Sequence, residues 1–157
     1  MSIQKVQHTI VRAVIIKDDH LLVCIGKNNK YVFLPGGHLE PGESLKYALE
    51  RELQEELSMH LKVGRFLGCF ESSLEALVCN ELKHMCHTHE INFLFEVASD
   101  ENFTIKKVPE SAESHTKFKW IPLVSAGNKD NFLPTALFDV LPVWLAYDYG
   151  QALKSDI

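Results

Sequence analysis

The stretch from Leu34 to Met59, LPGGHLEPGESLKYALERELQEELSM, constrains this chain more than any other. It opens as a turn-rich loop with Gly36, Gly37, Pro41 and Gly42, then continues from Ser44, a good N-cap, as a helix to about Met59. Glu52, Glu55 and Glu56 stand at i, i+3 and i+4 and so gather on one helical face. On a wheel of about 100° per residue drawn from Leu45, Glu52 and Glu56 fall within about 20° of Leu45, and Glu55 lies about 80° to one side. Leu49, Leu53 and Leu57 extend the apolar stripe on the other flank, and Tyr47, Glu50, Arg51, Gln54 and Ser58 form the outer face. The three glutamates therefore share or border the face that packs inward.

A run of charge is ordinarily a solvated face. Here the wheel argues otherwise, because like charges in this relation cost about 0.2–0.5 kcal/mol each even when exposed. Partial burial raises that cost, and unpaired buried carboxylates protonate. A hard divalent cation removes the conflict, and ligation by oxygen alone suits Mg²⁺ or Mn²⁺ rather than zinc. The competing reading is a structural ion-pair cluster with Arg51 and Lys46; the inward placement favours the metal. The Gly36–Gly37 pair just ahead of the helix lets backbone approach a ligand closely.

Around this device the chain reads as strands, one central helix, more strands and a terminal helix. Residues Val6 to Lys17 and Leu21 to Ile25, separated by Asp18-Asp19-His20, read as a hairpin. Tyr31 to Leu34 is a short strand stopped by Pro35-Gly36-Gly37, and Leu61 to Phe70 resumes strand character. Leu74, Leu77, Val78 and Leu82 hint at a short helix or a hairpin arm. His89 to Val97 alternates Ile91, Phe93, Phe95 and Val97 on one side, and Lys117 to Ile121 is a strand ended by Pro122. Between them, Ser99 to Ser114 suggests a weak strand and a surface loop. After a loop at Gly127-Asn128-Lys129-Asp130, a helix from Pro134 carries Leu137, Val140, Leu141, Trp144 and Leu145 on a core face. Pro142 predicts a kink or a break into two pieces. The fold class is α/β (α+β), a mixed sheet covered on both sides, without the regular alternation of a doubly wound fold.

The 157 residues suit one domain, 1–157, with a real core. A net charge of −5 argues against a stable nucleic-acid partner, which would need a basic stripe, but leaves a phosphorylated substrate open if metal supplies positive charge. Apolar runs are strand-sized, so no membrane span is expected, and the N-terminus lacks the order of a signal peptide. The four cysteines form no C-x-x-C pair, and Cys24 reads as a small core residue. A cytoplasmic protein with reduced thiols is expected.

Gly37, then Glu43 after five intervening residues, Arg51-Glu52-Leu53 after seven more, then Glu55-Glu56 and Met59 resemble the Nudix box, G-x5-E-x7-R-E-U-x-E-E-x-G-U, where U is a bulky aliphatic residue. One departure is Ser58 in place of the late glycine, from which a changed helix exit is expected with the chemistry retained. The strand into Leu34-Pro35-Gly36-Gly37, the strand before Glu96, Phe118 to Leu123 and the terminal helix resemble the same family more loosely. The resemblance implies a Nudix α/β/α sandwich and hydrolysis of a nucleoside diphosphate linked to another group, by water attack on phosphorus with Mg²⁺ or Mn²⁺. It implies metal ligation by Glu52, Glu55, Glu56 and the Gly37 carbonyl. Arg51 would orient the carboxylates through Glu43 or Glu52, and Gly36, Gly37 and Glu43 would line the cofactor site. The general base is a box glutamate or a loop acid, Glu110 or Glu113, with Glu113 preferred because it stands nearer the strand. The resemblance leaves a homodimer open.

Two other readings compete. One is a nucleotide-sensing module without catalysis, which the retained carboxylates disfavour; the other is a metal-dependent isomerase on the same scaffold, which nothing specific supports. The segment His84-Met85-Cys86-His87-Thr88-His89 has zinc-ligand residue types but no second cluster to complete four ligands. A hairpin tip or substrate-facing edge is the better reading. Tyr31, Phe33, Phe70 and Trp120 could stack on a base, though each reads first as core.

Overall fold

The computed structural model describes residues 6–26, 30–73, 87–99, 101, 103–114, 116–124 and 131–147. The readings made for Leu74 to Leu82, for His84 to Cys86 and for the loop at Gly127 to Asp130 lie outside the described residues. Strands β1 (Val6–Lys17) and β2 (His20–Ile25) form the expected hairpin. Asp18 and Asp19 both take positive φ, 46° and 58°, as the two centre residues of a type I′ hairpin turn must, and aspartate tolerates that conformation better than most residues. Next come β3 (Val32–Phe33), β4 (Gly36–His38), α1 (Leu45–Leu57), β5 (Val63–Ser72), β6 (His87–Val97), β7 (Lys117–Pro122) and α2 (Thr135–Ala146).

The strands make one mixed sheet in the order β3-β2-β1-β6-β5, with β4 on β1 and β7 on β2. Long β1 is its hinge. It runs parallel to β6 from Val6 to Ile15, while only its last residues, Ile16 and Lys17, pair with β2. This leaves the edge at Ile10 to Arg12 free to take β4.

Alternation along β1 decides what covers each face. Val11, Ala13 and Ile15 pack with Ala48, Leu49, Leu53 and Leu57 of α1 and with Phe95 and Val97. Val14 faces the other way, with Leu21, Val23, Leu94, Ile121 and Leu137, Phe138 and Leu141 of α2. Full burial of one such Leu or Phe stabilises the fold by about 1.5–3 kcal/mol. Helices on both faces of a mixed sheet make the α/β/α sandwich.

Several expectations need correction. Gly36-Gly37 does not merely stop a strand; it is the ladder of β4, antiparallel to β1. A Cβ on Gly36 would stand 2.1 Å from the Val11 carbonyl oxygen, so the close approach that looked like a loop signal serves strand pairing. Pro142 lies inside one continuous helix rather than dividing it, with Leu141 fully buried beside it. From Ser99 to Ser114 the described residues hold only an isolated bridge, Thr104 to Lys107, with Phe103 buried against Trp120.

Ser58 also departs from expectation. It caps α1 at φ 54° and ψ 32°, with its N–H donated to the Gln54 carbonyl, which is the left-handed exit a glycine takes readily. The exit is kept and serine bears the strain. Ser58→Gly is expected to stabilise the fold by about 0.5–1 kcal/mol, roughly 2–3 °C in Tm, because the steric cost of the left-handed conformation disappears. Thermal denaturation monitored by circular dichroism checks this, and an unchanged or lower Tm contradicts it.

Candidate functional site

The site forms where α1 crosses the start of β4. Ser44 begins the helix by accepting the Tyr47 N–H at 3.3 Å, and Leu49, Leu53 and Leu57 press it onto the sheet. That registration turns Glu56 inward. It is 7% exposed, and its Oε2 accepts the Gly36 N–H at 3.0 Å. Burial pushes its pKa up to about 8, against the lowering effects of the Gly36 bond and of the Arg12 charge; Glu52 and Glu113 push it further up. Glu52 is half-buried, and a Cβ on Gly37 would stand 2.4 Å from its carboxylate. The two glycines thus meet two different glutamates, one through its amide and the other through the absence of a side chain.

Arg51 holds the remaining acids. Its Nε and Nη2 donate to the two oxygens of Glu43 at 2.7 and 2.9 Å, a bidentate pair. Nη1 donates to Glu52 at 2.9 Å and lies 3.5 Å from Glu55, and Nη2 also reaches the His38 carbonyl. The hydrogen bonds from Arg51 hold Glu43 below the usual carboxylate range. Burial pushes Glu52 up, and Arg51 opposes that. Arg51 itself is held above its ordinary value by Glu43 first and then Glu52.

Two wheel assignments change. Arg51 is not on the outer face; its guanidinium folds back over the carboxylates. Glu55 is not on the buried edge either, with its side chain 52% exposed at the rim. Among the described residues no three His, Cys, Asp or Glu side chains stand together as a ready ligand set. The reason is visible in their partners: Glu52 is turned to Arg51, Glu56 to the Gly36 amide and Glu55 outward.

The loop acids separate. Ala112 N–H and Ser111 Oγ–H both donate to the Glu56 carbonyl, tying the loop to the end of α1. Glu113 accepts the Thr116 hydroxyl at 2.9 Å and lies close enough to Glu52 and Glu56 to raise both. Glu110 instead lines a cavity of about 440 Å³ with Ser58, Met59 and Lys107, beyond the helix end. Of the aromatics, Phe33 and Trp120 pack on the α1-side core and Phe70 on the other, while Tyr31 lies beneath Lys30. His89 is paired with Glu71 at 2.5 Å.

Reading the sequence alone passes over Arg12. It lies in β1 opposite Gly36, and its Nη1 donates to the carbonyls of Leu34 and Gly36 at 3.0 and 3.4 Å. Its signal was an arginine inside an apolar strand, IVRAVII. Cys24 is fully buried as expected, and burial raises its thiol.

A family model described as NUDIX domain matches residues 6–140. The chain is 35% identical over 66 residues to an 8-oxo-dGTP diphosphatase of Buchnera aphidicola, covering 40% of this chain and 51% of that protein. It is 43% identical over 60 residues to the nucleoside triphosphatase NudI of Salmonella agona, covering 35% and 43%. It is also 38% identical over 65 residues to an ADP-ribose pyrophosphatase of Methanocaldococcus jannaschii, covering 40% and 38%. The aligned stretches thus span about half or less of each relative's length. Among solved structures, a MutT protein from Methanosarcina mazei Go1 superposes with a TM-score of 0.65 at 22% identity, covering 92% of this chain and 97% of that one. The E. coli ORF135 protein superposes with a TM-score of 0.60 at 17% identity, covering 96% of each. At such identities the structural likeness speaks for the fold. No helix among the described residues is long and apolar enough to cross a membrane.

Proposed function

The chain belongs to the NUDIX domain family, and from that premise we propose that it is a divalent-metal-dependent pyrophosphohydrolase. Its substrate would be a nucleoside diphosphate linked to a further group, cleaved by attack of water on phosphorus. The observation that carries this reading is the contact of Gly36 and Gly37 with Glu56 and Glu52. It joins the glycine strand and the carboxylate helix into one oxygen-lined device. The three relatives are named for 8-oxo-dGTP, nucleoside triphosphates and ADP-ribose, all of which carry a nucleoside diphosphate.

The donor set fits Mg²⁺ or Mn²⁺. It is all oxygen, and Glu56, buried with its pKa raised to about 8, is a group whose charged form a neighbouring cation would favour. Glu52, Glu55, Glu56 and the Gly37 carbonyl would hold the ion, which supplies charge neutralisation at the pyrophosphate and acidifies water. Arg51 keeps Glu43, Glu52 and Glu55 in place against their mutual repulsion, an orienting role. Glu113, beside Glu52 and Glu56 and fixed by Thr116, is the base proposed to take the proton of the attacking water; Glu110 faces elsewhere.

The test is incubation with a panel of nucleoside triphosphates, nucleotide sugars and dinucleotides in Mg²⁺ and in EDTA. Release of a nucleoside monophosphate with its phosphorylated partner, or of pyrophosphate, only in Mg²⁺ is expected. Tight nucleotide binding without release would assign the chain to the sensing modules instead.

A further inference from the structure

We propose that Arg12, anchored by Asn92, is a positioning residue that fixes the Leu34–Gly36 backbone so that the Gly36 amide meets Glu56. The inference rests on the site reading above and concerns what holds that site in shape. Arg12 Nη1 donates to the carbonyls on either side of Pro35, Leu34 at 3.0 Å and Gly36 at 3.4 Å. The Pro35 carbonyl between them accepts the Ala13 N–H at 2.9 Å. Three consecutive carbonyls are therefore held by two adjacent residues of β1, across a segment whose proline has no N–H to contribute. Gly36 has φ of 126°, a conformation with few intrinsic restraints in glycine, so its direction must be set by its neighbours.

Arg12 is in turn fixed from behind. Its Nε donates to Asn92 Oδ1 at 3.3 Å, and its guanidinium lies 5.6 Å from the Phe33 ring centre. Asn92 is 1% exposed and reaches Ser72 Oγ and Glu90 Oε2 through Nδ2 at 3.4 and 3.5 Å. The chain of contacts runs from Ser72 on β5, through Asn92 on β6 and Arg12 on β1, to the Leu34 and Gly36 carbonyls on either side of the peptide unit whose Gly36 N–H is donated to Glu56. An arginine that only satisfied itself in the sheet would have no reason to bracket Pro35 at the entry to β4. Its planar fork serves two carbonyls from Nη1 and the Asn92 amide oxygen from Nε, two fixed donor positions that the single nitrogen of a lysine does not reproduce.

Amide hydrogen exchange resolved by NMR tests this in Arg12→Gln, Arg12→Lys and Asn92→Leu. Exchange at Gly36 is expected to accelerate about tenfold or more in Arg12→Gln while the β1–β6 amides keep their protection, with Arg12→Lys in between. On the best substrate kcat is expected to fall about tenfold or more with KM within roughly twofold. Unchanged Gly36 exchange overturns the proposal, as does acceleration spread evenly over β1 and β6, which would mark a purely structural arginine. If Arg12→Gln does not fold, Arg12→Lys and Asn92→Leu decide by the same comparison. Should the wild type hydrolyse no panel member, the activity reading falls while the Gly36 exchange still decides this one.

Discussion

Glu56→Gln is expected to lower kcat by about 10²–10³-fold while moving KM much less, because the lost charge acts where charge develops in the transition state. The same substitution is expected to leave the metal-free fold as stable at pH 8 or more so. Glutamine keeps an oxygen for the Gly36 N–H and carries no charge to desolvate. Glu56 has a folded pKa of about 8, above its ordinary value of 4.5, so its contribution to stability is complete below about 4.5 and is lost as pH rises through about 8. Glu52, also raised by burial, adds to the same trend, whereas Glu43, lowered by Arg51, loses its contribution on the acid side. Melting curves in EDTA across this range should slope downward for the wild type and be flatter for the variant. A loss of activity with a gain in stability marks a group retained for chemistry at the fold's expense. If Glu56→Gln retains wild-type kcat, Glu56 is not part of the catalytic machinery.

Alanine at the two neighbouring glycines is expected to give opposite signatures. At Gly36 a Cβ would stand 2.1 Å from the Val11 carbonyl oxygen and 3.2 Å from the Arg12 Cα, at a φ of 126°. Backbone cannot step aside, so Gly36→Ala should cost about 3 kcal/mol or more, roughly 6–12 °C in Tm. At Gly37 the atoms nearest the Cβ are the far end of Glu52, at 2.4 Å. That side chain can swing away, so stability should change by less than about 1 kcal/mol, while displacing a carboxylate by an ångström costs about 10²-fold in turnover. Paired Tm and kcat measurements distinguish the two; equal losses of stability would mean that β4 does not lie on β1 as described.

What was legible in the sequence is what depends on local periodicity. The hairpin at Asp18-Asp19, the strand alternation from Ile91 to Val97 and the inward turn of Glu56 all follow from repeats of two or 3.6 residues. What was hidden depends on long-range contact or on side-chain reach. Gly36-Gly37 looks like a turn because glycine marks turns and close approaches alike, and only the position of Val11 separates the two. Arg51 is on the outer face by angle, but its long side chain folds back to Glu43, eight residues earlier. Glu55 is on the inward border by angle, yet it lies where the helix face meets solvent. Arg12 and Asn92 are 80 residues apart, so no window of sequence shows that they touch.

Under the proposed function, this carboxylate helix, seated on the Gly36–Gly37 strand, takes up a divalent cation through Glu56. Calorimetric titration with Mg²⁺ at pH 7, in two buffers of different ionisation enthalpy, measures it most directly. With a pKa of about 8, Glu56 is mostly protonated at that pH, so binding should expel close to one proton. The wild type is expected to bind Mg²⁺ with heats that differ between buffers by about one proton's ionisation, and Glu56→Gln to show neither that difference nor comparable affinity. Binding by the wild type with identical heats in both buffers, or equal affinity in the variant, would rule out cation uptake through Glu56.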